Sequence, residues 1–167
     1  MRVSISFYLH LLGFGLAAAA LAGSFVLERK FRSEQDLNVK LYIGGLSRTM
    51  GLLSPFAVLL LLITGIGNIF NRYAALSIEW YQEGWLAAKI ISFVILTLNG
   101  MIYGPRISRS RTKLVRSLYE NSAPANADKA LASLNHQMAL FYVVQSTLLL
   151  IIVYLSLFGT AKHPGSF

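Results

Sequence analysis

The chain has 167 residues, 55% of them hydrophobic and only 13% charged, with a mean hydropathy of +0.57. Soluble domains carry about 25% charged residues, so this composition argues against an ordinary water-soluble globule. The net charge of +8 does not indicate nucleic acid, because most basic residues sit just beyond apolar runs, where membrane-topology signals lie; the absence of cysteine excludes disulfides, thiolate metal sites and thiol catalysis.

Four apolar runs follow in chain order, each near the ~20 residues that cross a ~30 Å hydrocarbon core as a helix. The first covers 5–27, with Ser6, His10 and Ser24 as its polar members. A cleavable signal peptide is the rival reading of this run, with Arg2 as its charged region and Ala20-Leu21-Ala22 as its cleavage site. The run continues to Leu27 and stops at Glu28, Arg29 and Lys30, which is the pattern of a retained span. The second covers 50–70 and holds Ser54-Pro55 early, so a bend is expected there. The third covers 85–103 and contains Lys89 and Asn99; the fourth covers 138–158 and contains Gln145, Ser146 and Thr147. Backbone in lipid must satisfy its own hydrogen bonds, so these runs are expected to be helices. The expected fold is all-α: one integral membrane domain over 1–167, an antiparallel four-helix bundle.

Lys and Arg counts set the expected orientation. Arg29, Lys30, Arg32, Lys40 and Arg48 flank the first connection; Arg106, Arg109, Arg111, Lys113, Arg116 and Lys129 flank the third. Arg2, Arg72 and Lys162 alone lie on the opposite side. This places the basic connections in the cytoplasm and both termini on the outer, periplasmic side of an inner membrane. Tyr73, Trp80, Tyr81 and Trp85 then suit an interfacial aromatic belt. Residues 121–128, rich in Ala, Asn, Ser and Pro, read as a short unstructured linker.

Polar residues inside spans are costly, and so mark candidate sites. His10 lies five residues into the first helix and Lys89 four residues into the third, depths of about 7.5 and 6 Å from one face at helical rise. Facing each other, they could hold a haem iron, a porphyrin carboxylate or an anionic headgroup. Snorkelling of Lys89 and a plain interhelical hydrogen bond of His10 are the competing structural readings. His136 belongs to the opposite side, on the order of 20 Å away in depth, too far to share one iron with His10; His163 would have to fold back from the tail. No cluster has conventional metal spacing. Arg48, between Ser47 and Thr49, is a candidate for phosphate or carboxylate, or an anchor of its helix end. The run 106–116 overlaps Leu114, Val115, Leu118 and Tyr119, which suits either an amphipathic helix on anionic lipid or a solvated positive-inside signal. Gly15, Ala19 and Gly23 give the first helix a smooth face for close packing. No nucleophile–base pair, phosphate loop or carboxylate pair lies within the spans.

The His of "FYLHLLG", the Arg of "GLSRTMG" and the Lys of "GWLAAKIISF" resemble the pattern of small bacterial four-helix membrane proteins. That group includes HemJ-type protoporphyrinogen oxidases and copper-resistance D-like domains. The resemblance extends loosely over all four helices and implies haem b or a porphyrin at His10 and Lys89, with Arg48 nearby in function and His10 on the iron. Two positions depart from it: Leu98-Asn99-Gly100 stands where the family carries a second His, and Leu134-Asn135-His136 where it is acidic. Two functional classes follow: a haem- or porphyrin-binding protein of membrane redox chemistry, and a non-catalytic accessory or assembly subunit of a larger membrane complex. The expected partners are anionic lipids and other membrane subunits or further copies of the chain, with no nucleic acid.

Overall fold

A computed structural model describes residues 5–73 and 83–158. Among these residues there are helices and turns and no strand. Helix α1 spans Ile5–Ser33, α2 Leu37–Gly51, α3 Leu53–Tyr73, α4 Gly84–Leu98, α5 Gly104–Tyr119 and α6 Ala127–Phe158. A π-helical turn, Asn99–Tyr103, joins α4 to α5 without a break. With α2 running into α3, the chain forms four helices long and apolar enough to cross a membrane, the architecture of a membrane protein. Leu11, Leu59, Ile63, Ile91, Val143 and Leu150 are among many large apolar side chains exposed on their outer faces. Water would penalise such a surface, whereas lipid would not. Trp80, Tyr81 and His163 lie outside the described residues, as does the side chain of Tyr73. Trp85 is half-buried and donates its indole N–H to Glu83 at 3.0 Å.

The helices are longer than the apolar runs. Both basic connections prove to be mainly helix rather than loop. The first helix continues through Glu28–Arg32 to Ser33, and after three residues α2 begins at Leu37. That turn is closed by carboxylates: Glu34 Oε1 accepts the N–H groups of Gln35 and Asp36 at 2.9 and 3.2 Å. Asp36 caps α2 by accepting the N–H of Asn38 at 2.8 Å. The two backbone donors hold the half-buried Glu34 carboxyl below its ordinary value.

Pro55 exerts its effect upstream. It has no N–H to donate to the carbonyl of Gly51, four residues back, and the helix is interrupted at Leu52, whose N–H bonds Thr49 instead at 3.1 Å. Pro105 stands at the corresponding weak point of the third long helix. It can offer nothing to the Met101 carbonyl, and the chain widens there into a π turn, where the Gly104 N–H reaches back five residues to Asn99.

The segment 106–116 is not a surface helix. It lies in α5, collinear with α4, and its inward stripe of Ile107, Arg111 and Val115 is buried against neighbouring helices. The amphipathic pattern is real, but its apolar side faces protein. Val115 packs with Phe31 and Ile43, and Ile107 with Met138 and Tyr142. The expected linker is also shorter and more ordered. Helix α5 ends in a Schellman motif, with Asn121 in the left-handed region at φ 52. Ser122 N–H bonds Ser117 and Asn121 N–H bonds Leu118, at 2.9 and 3.2 Å. Asn is one of the few residues other than Gly that adopt this conformation at low cost, and α6 begins at Ala127.

Packing divides the membrane-length helices into pairs: α1 lies chiefly on α3 and α4 on α6, with α1 meeting α6 only lightly. Close approach of α1 to α3 is made at Gly13, where an added Cβ would come within 3.2–3.3 Å of Leu60 and Leu61. The Gly15/Ala19/Gly23 stripe takes no part in this contact: Gly23 meets Met50 of α2, Gly15 faces open space and Ala19 is exposed.

Candidate functional site

The polar residues of α1 and α3 meet near the start of α1. His10 Nδ1 lies 2.8 Å from the Thr64 hydroxyl, and Ser6 donates to the Thr64 carbonyl at 3.3 Å. The tautomer follows from counting protons. Thr64 has one hydroxyl hydrogen, which goes to the Leu60 carbonyl at 2.6 Å, so its oxygen must accept from His10 Nδ1–H. Neutral His10 therefore keeps an unprotonated Nε2 with its lone pair available, and no protein partner for Nε2 is present among the described residues. Gly65 and Gly67 border this cluster: a Cβ on Gly65 would make an ordinary 3.5 Å contact with the His10 ring, and one on Gly67 the same with Ser6 Oγ.

Lys89 is half-buried on α4, one turn into that helix. It has no hydrogen-bond or ion-pair partner among the described residues. Among the described residues neither His10 nor Lys89 has a carboxylate partner. Arg48 is not part of this region. It is exposed in the last turn of α2, near the level of Gly23, which contacts Met50. Thirteen residues of helix separate Gly23 from His10, about 20 Å. His136 is farther still, since neighbouring Asn135 sits at the level of Glu28, about 27 Å along α1 from His10. No group of three or more metal-ligating side chains exists among the described residues.

A second polar centre, hardly legible in the sequence, lies where the basic segments converge. Glu28 and Arg111 are both 4% exposed. Arg111 Nη2 lies 2.7 Å from Glu28 Oε2 and Nη1 2.8 Å from Oε1, a two-point ion pair. Arg32 Nε adds a bond to Oε1 at 2.7 Å and reaches the Asn135 carbonyl with Nη2. Asn135 Oδ1 accepts from Arg111 at 3.3 Å, and the Phe31 ring lies 4.0 Å beneath the Arg111 guanidinium. Charge pairing at two points, one of them a hydrogen bond, and cation–π stacking together make an inward arginine tolerable here. The available clue was a lone carboxylate ending an apolar run with Arg32 four residues on. A third polar contact, Asn99 Nδ2 to Gln145 Oε1 at 2.8 Å, ties the π turn to α6.

The described residues are therefore helical, with four membrane-length helices, a His10–Thr64 contact between α1 and α3, and a buried ionic lock at Glu28 and Arg111. No protein-family model matches the chain, and no curated protein or solved structure does either.

Proposed function

We propose that this chain is an antiparallel four-helix bundle of the bacterial inner membrane that binds haem b or a porphyrin through His10 and Lys89 and serves membrane redox chemistry. The carrying observation is the proton count at Thr64, which leaves His10 Nε2 as a free lone pair. Ligating histidines commonly donate their other ring N–H to an acceptor that fixes the ring. In this arrangement Thr64 orients the imidazole, His10 Nε2 would hold a haem iron, and Lys89 would balance a propionate carboxylate. A bound haem supplies one-electron chemistry. The antiparallel arrangement is supported by the α1–α3 register, in which Ser6, His10, Gly13 and Gly23 approach Gly67, Gly65, Leu61 and Met50 in turn. The periplasmic termini and cytoplasmic basic ends rest on the Lys and Arg distribution; a thiol placed by Asn121→Cys should be labelled only from the cytoplasm, and labelling from outside reverses the topology.

The binding test is a visible spectrum of the full chain purified in detergent and titrated with haem b. A Soret band is expected that is lost in His10→Ala and weakened about 10-fold or more in Thr64→Val. A wild-type chain that shows no haem-dependent band overturns the reading. A second reading, an accessory subunit packed on another membrane protein or copy, is favoured by the outward position of Gly15 and Ala19. Co-purification of a stoichiometric partner through Gly15→Leu-sensitive contacts is its signature.

A further inference from the structure

One face of the third long helix changes character at Pro105. Ile91, Val94, Ile95, Leu98, Met101 and Ile102 form an exposed aliphatic stripe at helical spacing. The same stripe continues as Arg106, Arg109, Lys113 and Arg116, all exposed. At the changeover a groove of about 420 Å³ is lined by Met101, Ile102, Pro105, Arg106, Arg109 and Ser110. Arg106 and Arg109 are one turn apart and have no carboxylate partner among the described residues. Arg111 on the same helix shows the contrast, since Glu28 satisfies it inside the bundle.

We infer that this groove is a discrete binding site for one anionic phospholipid. The phosphate sits between the Arg106 and Arg109 guanidinia, with Ser110 as a further donor, and the acyl chains lie along the Ile91–Ile102 stripe. Guanidinium matches phosphate oxygens in both charge and hydrogen-bond geometry. The apolar part of the ligand is dictated by the surface continuous with those arginines, and four membrane-length helices put that surface in lipid. This site is independent of His10 and Lys89, which lie on other turns and need no phosphate.

The test uses the full chain in detergent with phosphatidylglycerol and phosphatidylcholine as probes, counting retained lipids by native mass spectrometry. One phosphatidylglycerol is expected to be retained in preference to phosphatidylcholine. In Arg106→Gln/Arg109→Gln its affinity should fall roughly 30-fold, taking about 1 kcal/mol for each cation near the lipid. Lys113→Gln/Arg116→Gln removes equal charge two turns away and should bind nearly as the wild type. Equal loss in both double variants would reduce the site to diffuse charge and overturn the inference. So would the absence of a phosphatidylglycerol preference, or displacement of the lipid by equimolar inorganic phosphate. Unchanged helicity by circular dichroism checks that each variant is folded; these side chains are exposed, so unfolding in both would contradict the assigned geometry.

Discussion

Glu28 and Arg111, 83 residues apart in sequence, meet through two nitrogen–oxygen contacts of 2.7 and 2.8 Å. One carboxylate sits at the end of the first apolar run and the guanidinium lies on the continuation of the third. Their union fixes the rotation of both helices, because a two-point contact resists sliding as well as turning. Arg32 and Asn135 bring α6 into the same network.

Removing one member should therefore cost far more than removing both. Glu28→Leu or Arg111→Met leaves an uncompensated buried partner and is expected to destabilise the fold by about 3–5 kcal/mol. The double variant Glu28→Leu/Arg111→Met should recover much of that loss. Thermal unfolding in detergent across the four proteins gives the coupling; simple additivity of the two single losses would contradict the pairing.

Gly104 is the position where the π turn requires the smallest side chain. An added Cβ would lie 2.8 and 2.9 Å from two ring atoms of Phe141. Gly104→Ala should cost about 1–3 kcal/mol as an overpacked contact, and Phe141→Leu in the same chain should relieve it. Gly45, whose Cβ would meet nothing within 4 Å, is the control. Gly45→Ala should be neutral or stabilising by about 0.5–1 kcal/mol from reduced backbone freedom. Equal melting losses at the two positions would show that α5 and α6 are not this close.

Hydropathy made the helical class and the four long apolar segments legible in the sequence, because a bilayer demands length and apolarity of each span separately. Pro55 also announced a weak point, although the interruption falls at Leu52, where the missing donor is felt. The helical extensions were not legible. Segments such as 28–33 and 106–119 carry the charge of loops, and only their packing against one another decides that they remain helical. Arg111 shows why: its sequence neighbours Arg109 and Lys113 are exposed, and a buried arginine cannot be told from them until Glu28 is placed beside it. At the His10 region, matched depth suggested proximity to Lys89, whereas Thr64 was hidden among apolar residues of the second run. A threonine hydroxyl in a helix can always bond the carbonyl four residues back, as Thr64 does with Leu60, and its second role needs the neighbouring helix.

The continuous helix from Gly84 to Tyr119 contains 36 residues, about 54 Å at ordinary helical rise, well beyond a ~30 Å hydrocarbon layer. With the apolar portions in a bilayer, the surplus would carry Arg111 of the ionic lock and Val115 of the Phe31–Ile43–Val115 cluster outside it, and two solvation regimes would share the same rods. One portion would then owe its cohesion to apolar fit and a few hydroxyl and amide links, the other to water-driven collapse braced by charge. Salt and acid would act on the second, while a change of detergent or acyl-chain length would act on the first.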